Sequence, residues 1–385
     1  MMKNVFVFGV FGVFVLVCVC VVDGATPPPS SATDLPVTAA ILVANDNLVY
    51  GLATCGGFES PTFSTQASSS GSTLNLQVVM NGTSTWLYYG KSEVIVETVM
   101  RKRLDTADGV IETVTGPGWE YKRWLLARMA TSTPTYYGWG YTSEPKDISA
   151  RVFGTSTDTV VYTSSTPDVA IIDVAIDESA GLVFWIEGPS SKFDSTGAAR
   201  IMMAEFPTFN NPTLVSSGYK RLDALVVGPA HVFVAATDYE SFSVGPNTRV
   251  LMFAKPATPA PASVVTAWAF QYTVLGAMTY SPGSNEVYVA FQYNDAISGA
   301  STSGVGVGAG DGTGCARFLV SSVGATFESD PNDAAVAVID SRNSSPCTTL
   351  SCVPTGPGSS AAGLVVGWGW MVGVVASLVI VLSTF

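Results

Sequence analysis

Charged residues are scarce in this chain. Only 12% of its 385 residues are charged, with 18 Lys and Arg against 30 Asp and Glu, and it has a single histidine. Average soluble domains carry about 25% charged residues. The lack of a basic excess excludes a nucleic-acid-binding protein that works through a basic face. The single histidine excludes a His-rich metal site and argues against a Ser-His-Asp or Cys-His catalytic set.

Long stretches of low hydrophobicity are also lacking. The chain is 47% apolar and 11% aromatic, which excludes an intrinsically disordered protein. Much of the apolar excess lies at the two ends of the chain, and the region between them has the apolar content of an ordinary globular domain. The two ends are therefore interpreted separately from the middle.

The N-terminus has the pattern of a secretory signal peptide at residues 1–25. Lys3 provides the basic start, Val5–Val22 is an uncharged Val/Phe run, and small residues follow it at 24–25. An uncleaved signal anchor is the alternative. The Pro-rich residues 26–36 predict an extended linker.

The C-terminus predicts a membrane attachment. No charged side chain follows Arg342, so residues 342–363 form an uncharged stalk, and 364–385 are apolar enough to span a bilayer. No Lys or Arg follows the apolar segment, and small residues precede it. This pattern favours a glycosylphosphatidylinositol signal with lipid attachment at Ser359, although the polar spacer is short. A retained transmembrane helix is the alternative.

Cysteine usage agrees with export. Once the signal has been removed, an even number of cysteines remains, which predicts two disulfides in a secreted chain. Cys347 and Cys352 are the local pair, which leaves a long-range pair between Cys55 and Cys315. Pairing of Cys55 with Cys347 or Cys352 is the alternative.

Two sequons predict N-glycosylation, at Asn81 and Asn343. Together with the signal and the C-terminal segment, they predict a secretory-pathway protein held at the cell surface with an extracellular ectodomain. We expect no nucleic acid among its partners.

The middle of the chain, residues 37–341, repeats with a period of about 48 residues. Each copy has an apolar start, a polar turn and an aromatic residue in a β-branched run; the starts are Ile41, Val79, Ala127, Ala175, Ala224 and Ala277. Val, Thr, Phe and Tyr dominate, and Gly, Pro, Ser and Asn punctuate the runs, which indicates strands and turns. Four short strands per unit predict an all-β fold, a six-bladed β-propeller.

The last repeat contains a glycine-rich segment. Residues 298–314 predict an inserted flexible loop, since alternating glycines weaken a strand. On this interpretation Arg317–Ser321 is the third strand of the last blade and Ala335–Ile339 is its fourth.

One segment carries a family resemblance. Phe184-Trp-Ile-Glu187, after Ile172–Asp177, resembles the Tyr-Trp-Thr-Asp blade of low-density-lipoprotein-receptor-type and NHL-type six-bladed propellers. His231–Asp238 is a weaker echo. The resemblance implies blades arranged around a central channel.

Acidic residues lie near the predicted ends of the inner strands, at Asp173, Asp177 and Asp223. Resemblance to calcium-dependent lactonase propellers would place a calcium ion in the channel, held by such acids. The alternative is that they make structural hydrogen bonds at strand ends. No other cofactor is expected.

A dense aromatic cluster is the candidate binding surface, because aromatic residues anchor interfaces. Its members are Trp119, Tyr121, Trp124, Tyr137, Trp139 and Tyr141. Burial between blades is the alternative for the same residues.

The leading hypothesis is a membrane-anchored extracellular propeller that binds a protein or glycan partner, because the chain has a signal, an anchor and repeats but no catalytic set. Two alternatives stay open. One is an extracellular metal-assisted hydrolase of lactonase or esterase type that uses the channel, and the other is a structural surface-coat glycoprotein.

Overall fold

The computed structural model describes only part of the chain: residues 9–10, 13–14, 41–45, 48–52, 58–64, 73–81, 84–93, 96–106, 111–114, 123–127, 134–140, 146–189, 199–238, 247–271, 273–294, 301–320 and 335–339. Two compact units are present, Met1–Thr33 and Asp34–Phe385. In the first unit, β1 (Gly9–Val10) pairs antiparallel with β2 (Val13–Phe14). The predicted signal peptide, linker, stalk and C-terminal segment lie almost wholly outside the described residues.

The described part of the second unit consists of strands and turns, without a helix. Consecutive strands form five antiparallel four-stranded blades. They are numbered two to six here, after the sequence repeats that form them. Blade two consists of β6 (Thr73–Asn81), β7 (Ser84–Glu93), β8 (Val96–Arg103) and β9 (Ile111–Thr113). Blade three consists of β10 (Arg123–Ala127), β11 (Thr135–Trp139), β12 (Asp147–Val152) and β13 (Thr159–Thr163).

The other three blades repeat this order. Blade four consists of β14 (Val169–Asp177), β15 (Leu182–Pro189), β16 (Ala199–Glu205) and β17 (Thr213–Tyr219). Blade five consists of β18 (Leu222–Val227), β19 (His231–Asp238), β20 (Asn247–Ala254) and β21 (Val265–Gln271). Blade six consists of β22 (Thr273–Ser281), β23 (Glu286–Asn294), β24 (Ser301–Ala309) and β25 (Arg317–Val320).

A further four-stranded sheet, here called the closing sheet, joins strands that are distant in the sequence. Its strands lie in the order β26 (Ala335–Val338), β3 (Ile41–Asn45), β4 (Leu48–Leu52) and β5 (Phe58–Ser64). The first strands of the sheets contact one another in the cyclic order β6, β10, β14, β18, β22, β26 and β6 again. The all-β propeller of four-stranded blades is thus confirmed. The predicted number of six blades is wrong: the described residues form five blades of four consecutive strands, and the first repeat contributes only three strands to the closing sheet, whose remaining strand comes from the end of the ring.

The end of the ring differs from the prediction. The glycine-rich segment is not a flexible loop but the third strand of blade six, β24, which pairs with β23 on one side and β25 on the other. The segment predicted as the third strand, at Arg317, is therefore the fourth strand. Ala335–Val338, which was predicted as the fourth strand of blade six, instead forms the inner strand of the closing sheet, where Ala335 pairs opposite Ala44.

The apolar core lies between neighbouring blades. Phe184 and Ile186 of β15 pack in one cluster with Leu225 and other residues of blade five. The alternate residue Trp185 packs on the opposite side, in a cluster that includes Trp139 of blade three. Because both faces of β15 are covered, its sequence is a continuous apolar run and not an alternating one. Among the described residues there is no helix of the length and hydropathy required to cross a membrane.

Candidate functional site

The inner strands of blades three, four and five bring charged side chains together; Asp223 stands near the start of its strand as predicted, whereas Asp173 stands in the middle of β14 and not at an end. β10 begins at Arg123. The pairing of β14 shifts between Ile171 and Asp173, and that of β18 shifts between Leu222 and Ala224, around Asp223. Such β-bulges redirect side chains out of the regular alternation of a strand. Arg123, Asp173 and Asp223, with Arg221 and Thr237 beside them, are called the central cluster below.

Arg123 connects three blades through one nitrogen. Its Nη1 donates to the carbonyl oxygen of Ile172 at 3.2 Å and reaches the carbonyl oxygen of Asp223 at 3.5 Å. The same nitrogen lies 3.8 Å from Oδ1 of Asp173. The guanidinium group of blade three therefore lies against the inner strands of blades four and five.

Asp173 links blade four to blade five. Its Oδ2 accepts a hydrogen bond from the backbone N–H of Leu225 at 2.8 Å. The side chain is 16% exposed. Burial raises the pKa of Asp173 to about 6, although the charge of Arg123 and hydrogen bonds from the Leu225 and Val174 backbones act in the opposite direction. Asp173 is thus a carboxyl group that can exchange a proton near neutral pH.

Asp223 is more deeply buried and fully engaged. It forms an ion pair with Arg221, and the hydroxyl of Thr237 donates to its Oδ2 at 2.6 Å. Burial raises the pKa of Asp223, opposed by Arg221, Thr237 and Arg123. With two arginines and two aspartates, the central cluster has balanced charge when all four groups are ionised.

The acid residues predicted at inner-strand ends do not all come together. Asp177 ends β14, four residues beyond Asp173 and apart from the central cluster, and pairs with Lys255 of blade five. Ser179 Oγ also donates to Asp177, at 2.6 Å. Asp177 therefore ties a hairpin of blade four to blade five. The described residues contain no group of three or more His, Cys, Asp or Glu side chains placed to hold a metal ion, and the calcium site stays a prediction.

Sequence reasoning missed two members of this region. Arg123 was overlooked because a single arginine in a strand resembles an ordinary solvated residue. Gln77 of β6 was also overlooked: its Nε2 donates to the carbonyl oxygen of Leu126 at 3.0 Å, and the Leu126 N–H donates to its Oε1 at 2.8 Å. Gln77 and Asp173 both stand two residues before a repeat start and both bind the backbone of the next inner strand. A polar residue at that repeat position was the available signal.

Glu187, at the end of the family-like segment, forms a separate buried network. Its Oε1 accepts from Tyr162 at 2.6 Å and from the Trp185 indole at 3.0 Å. Its Oε2 accepts from Ser164 at 3.0 Å and from Arg200 Nε at 2.8 Å. Burial alone raises the pKa of Glu187, but these donors and the charge of Arg200 outweigh it, so that the pKa lies below its ordinary value.

The predicted aromatic cluster is divided by the structure. Trp124, Tyr137 and Trp139 are 3%, 2% and 2% exposed, which places these three in the core between blades rather than on an exposed surface. The Trp139 indole donates to the carbonyl oxygen of Ile172 at 3.2 Å, the same oxygen that Arg123 contacts. Trp119, Tyr121 and Tyr141 lie outside the described residues, so their binding role stays a prediction.

The predicted modification sites are only partly described. Cys315 is disulfide-bonded. The other three predicted disulfide cysteines, Cys55, Cys347 and Cys352, lie outside the described residues. Asn81 is the last residue of β6 and pairs opposite Ser84 at a hairpin end. Asn343 and Ser359 are outside the described residues. The pairing of Cys55 with Cys315, both glycosylations and the lipid attachment stay predictions.

Comparisons with known proteins identify no family: no family model matches the chain, and no curated protein matches it. Among solved structures, a puromycin hydrolase is 13% identical with a TM-score of 0.42, over 63% of this chain and 44% of the hydrolase. The catalytic domain of a Coprinopsis cinerea GH62 α-L-arabinofuranosidase is 11% identical with a TM-score of 0.40, over 69% of this chain and 94% of that domain. A thermostable family-43 glycoside hydrolase is 11% identical with a TM-score of 0.39, over 67% of this chain and 96% of the hydrolase.

The chain spans less than half the length of the puromycin-hydrolysing enzymes it matches, with 39% for the Mycobacterium tuberculosis peptidase. At these identities and TM-scores we draw no conclusion about this chain from the likeness.

The central cluster makes a testable contribution to stability. The pKa of Asp173 in the folded protein, about 6, lies above its ordinary value of 3.8. Its contribution to stability is therefore fully present below pH 3.8 and is lost as the pH rises through about 6. We expect the titration of Asp173 to lower the free energy of unfolding of the wild type by up to about 3 kcal/mol between pH 4 and pH 7. This decrease should be absent in Asp173→Asn. Urea unfolding of the full chain across this range measures it.

The matched control for this titration is Asp105→Asn. The hydrogen bond from Arg103 lowers the pKa of Asp105. The contribution of Asp105 to the free energy of unfolding therefore depends on pH in the opposite direction: it is present at neutral pH and is lost only as the pH falls below the ordinary pKa of 3.8. Parallel curves for wild type and Asp173→Asn from pH 4 to pH 7 would contradict the prediction.

Proposed function

We propose that the protein is an exported, membrane-anchored β-propeller that binds a protein or glycan partner at the cell surface. The export signal, the sequons and the apolar C-terminus support the location. We also propose kinship with the low-density-lipoprotein-receptor and NHL types, supported only by Phe184–Glu187 and by the position of Glu187.

The central cluster is the observation that supports a binding role most. Its charges are balanced, and Asp223 is already engaged by Arg221 and Thr237. Arg123, Asp173 and Arg221 keep partly exposed side chains, 26%, 16% and 15%. Paired donors and acceptors fixed by three blades suit recognition, because a rigid scaffold positions them before a ligand arrives.

The binding role is tested with the full chain, purified in mild detergent from a eukaryotic secretory host. We expect saturable binding to intact cells or to immobilised oligosaccharides, measured by surface plasmon resonance. The absence of saturable binding on both surfaces would contradict the proposal, and a high surface copy number would then favour the coat-protein alternative.

The anchor is tested on intact cells that express the full chain. If residues 358–361 direct lipid attachment, a phosphatidylinositol-specific phospholipase releases most of the protein into the medium. A co-expressed protein with a transmembrane helix is the control and stays with the cells. Retention of the propeller under conditions that release a known lipid-anchored protein would support a retained helix instead.

A hydrolase is the second candidate, and the pKa of Asp173 favours it. A carboxyl group with a pKa raised to about 6 can act as a general acid or base near neutral pH. Turnover of chromogenic esters or lactones that is lost in Asp173→Asn, with thermal stabilisation by calcium, would replace the binding proposal by this one.

A further inference from the structure

Three neighbouring blades end in outer strands that contain no charged residue: β13 of blade three, β17 of blade four and β21 of blade five. Their apolar residues Val160, Leu214 and Val265 are 53%, 43% and 51% exposed. Natural proteins protect such edges with bulges, charges, proline or a covering segment, because an edge strand can pair with a second molecule. Bulges are present in all three pairings, but the edges carry no charge, so a covering group would add to their protection.

The connection between the third and the outer strand of blade five reaches blade four. It consists of residues 255–264 and is called the proline segment below. At its start, the ammonium group of Lys255 pairs with Asp177 of blade four. Near its end, the backbone N–H of Ala262 donates to the carbonyl oxygen of Val215, in the outer strand β17, at 3.4 Å. The proline segment is thus tied to blade four at both ends.

The backbone of the proline segment does not continue the sheet. Its prolines, which lack the N–H that a ladder requires, are Pro256, Pro259 and Pro261. Thr258 stands directly before a proline, and a residue in that position is restricted to extended backbone. The chain bends at residues 257–259, where Ala257 and Thr258 are exposed. Thr258 therefore lies at the exposed part of a bend whose two ends are fixed.

Within residues 254–268, only Thr258 combines exposure, an adjacent proline and backbone outside a strand. Ser263 and Thr266 are also exposed. Ser263 has no proline next to it, however, and Thr266 lies within β21. Serine or threonine together with proline is the composition of O-glycosylated segments. The chemistry available to Thr258 in an exported chain is therefore the attachment of a sugar to its hydroxyl group.

We propose that Thr258 carries an O-linked glycan, added in the secretory pathway, that covers the uncharged outer edge of blade four. The inference rests on the proposed export of the chain and adds a modification site to it. Thr258 stands four residues before Ala262, so at most about 14 Å of extended chain separates it from the contact with β17. A bulky, hydrated glycan at this position hinders a second molecule from approaching that edge.

The transfer needs a sugar that is activated as a phosphate ester, either a sugar nucleotide or a lipid-linked sugar phosphate. A bond forms between Oγ1 of Thr258 and the anomeric carbon of this sugar. The bond between that carbon and the phosphate oxygen breaks, and the phosphate leaves with the electron pair. The hydroxyl proton passes to a base of the transferase, so that the chain itself supplies only the hydroxyl group.

The test uses the full chain, expressed in two secretory hosts, a yeast and an animal cell line, and digested with chymotrypsin after purification. Cleavage after Phe253 and Trp268 releases residues 254–268, whose hydroxyl-bearing residues are Thr258, Ser263 and Thr266. We expect mass spectrometry to find this peptide heavier by one or more hexose or N-acetylhexosamine units. Electron-transfer fragmentation should locate the sugar on Thr258.

Thr258→Ala should lose the added mass, whereas the matched control Ser263→Ala should keep it. Both residues are exposed, so we expect both variants to fold, and their thermal midpoints check this. The covering role is measured separately, by light scattering of the folded full chain in mild detergent. Thr258→Ala should aggregate faster than both wild type and Ser263→Ala.

Arrival at the cell surface is followed by labelling intact cells with a membrane-impermeant biotin reagent. A labelled chain whose residues 254–268 are unmodified in both hosts would overturn the glycan and leave the proposed export intact. A chain that never reaches the surface and has this peptide unmodified would refute the export and the inference together. A phosphate group on Thr258, or a sugar on Ser263 alone, would contradict the assignment. A glycan on Thr258 without faster aggregation of Thr258→Ala would refute the covering role.

Discussion

Replacement of Gly308 by valine is expected to destabilise the propeller by about 3 kcal/mol or more. A Cβ atom at this position would lie 2.3 Å from Cζ2 and 2.5 Å from Cη2 of Trp268, far inside van der Waals contact. Trp268 belongs to the outer strand of blade five, so the indole packs directly on the backbone of β24 in blade six. The glycine at this position is therefore what lets the two blades approach.

Trp268 cannot move away cheaply. Its ring is stacked on Phe233 with 5.7 Å between centroids and an interplanar angle of 3°, and only 4% of the residue is exposed. A shift of the indole would open this stack and leave voids in a close-packed core. We expect Gly308→Val to lower the midpoint of urea unfolding without a change in the fold of the remaining blades.

Gly188→Ala is the control for Gly308→Val. Gly188 lies in the second strand of blade four, where a Cβ atom would meet Ile172 Cγ1 at 3.5 Å and Ala199 Cβ at 3.6 Å, which is ordinary contact. We expect this variant to be neutral or more stable by about 0.4–1 kcal/mol, because alanine restricts the unfolded chain. Equal stability of Gly308→Val and wild type would show that blade six does not pack on Trp268 as described.

The strand β24 could not be predicted from the sequence. Its alternating glycines have the composition of a loop, and no residue close to them in the sequence explains why glycine is needed there. At Gly308 the reason is Trp268, which lies 40 positions earlier and in another blade. At Gly306 and Gly310 a Cβ atom would instead press on Val289 and Asn285 of the same blade. These contacts come from the folded structure, and the period of the repeat alone does not reveal them.

Strands whose own residues fill the core were predictable. Leu182–Ile186 is a continuous apolar run, and both of its faces are indeed covered. The central cluster was predictable only in part: the acids Asp173 and Asp223 were noticed, but Asp173 lies in the middle of its strand and not at the predicted end. The geometry of the cluster depends on β-bulges at Ile172 and Asp223, and a bulge leaves no reliable mark in a single sequence.

Replacement of Glu187 by glutamine is expected to cost about 3–5 kcal/mol, the range seen when one partner of a buried ion pair is removed. Glu187 is fully buried, and each of its oxygens accepts from two donors. The indole N–H of Trp185 on one oxygen and the guanidinium of Arg200 on the other can only donate. In either orientation the amide NH₂ of glutamine therefore faces a group that cannot accept, and Arg200 also loses its counter-charge.

Urea unfolding at neutral pH measures this loss, and Glu112→Gln is the matched control. The Glu112 side chain is 41% exposed and pairs with Arg101 at 2.5 Å, so its loss should cost less than about 1 kcal/mol. Because the pKa of Glu187 lies below its ordinary value, its contribution is present above pH 4.5 and is lost as the pH falls. Glu187→Gln should therefore approach wild-type stability in acid, whereas a pH-independent difference would mean that shape rather than charge holds blades three and four together.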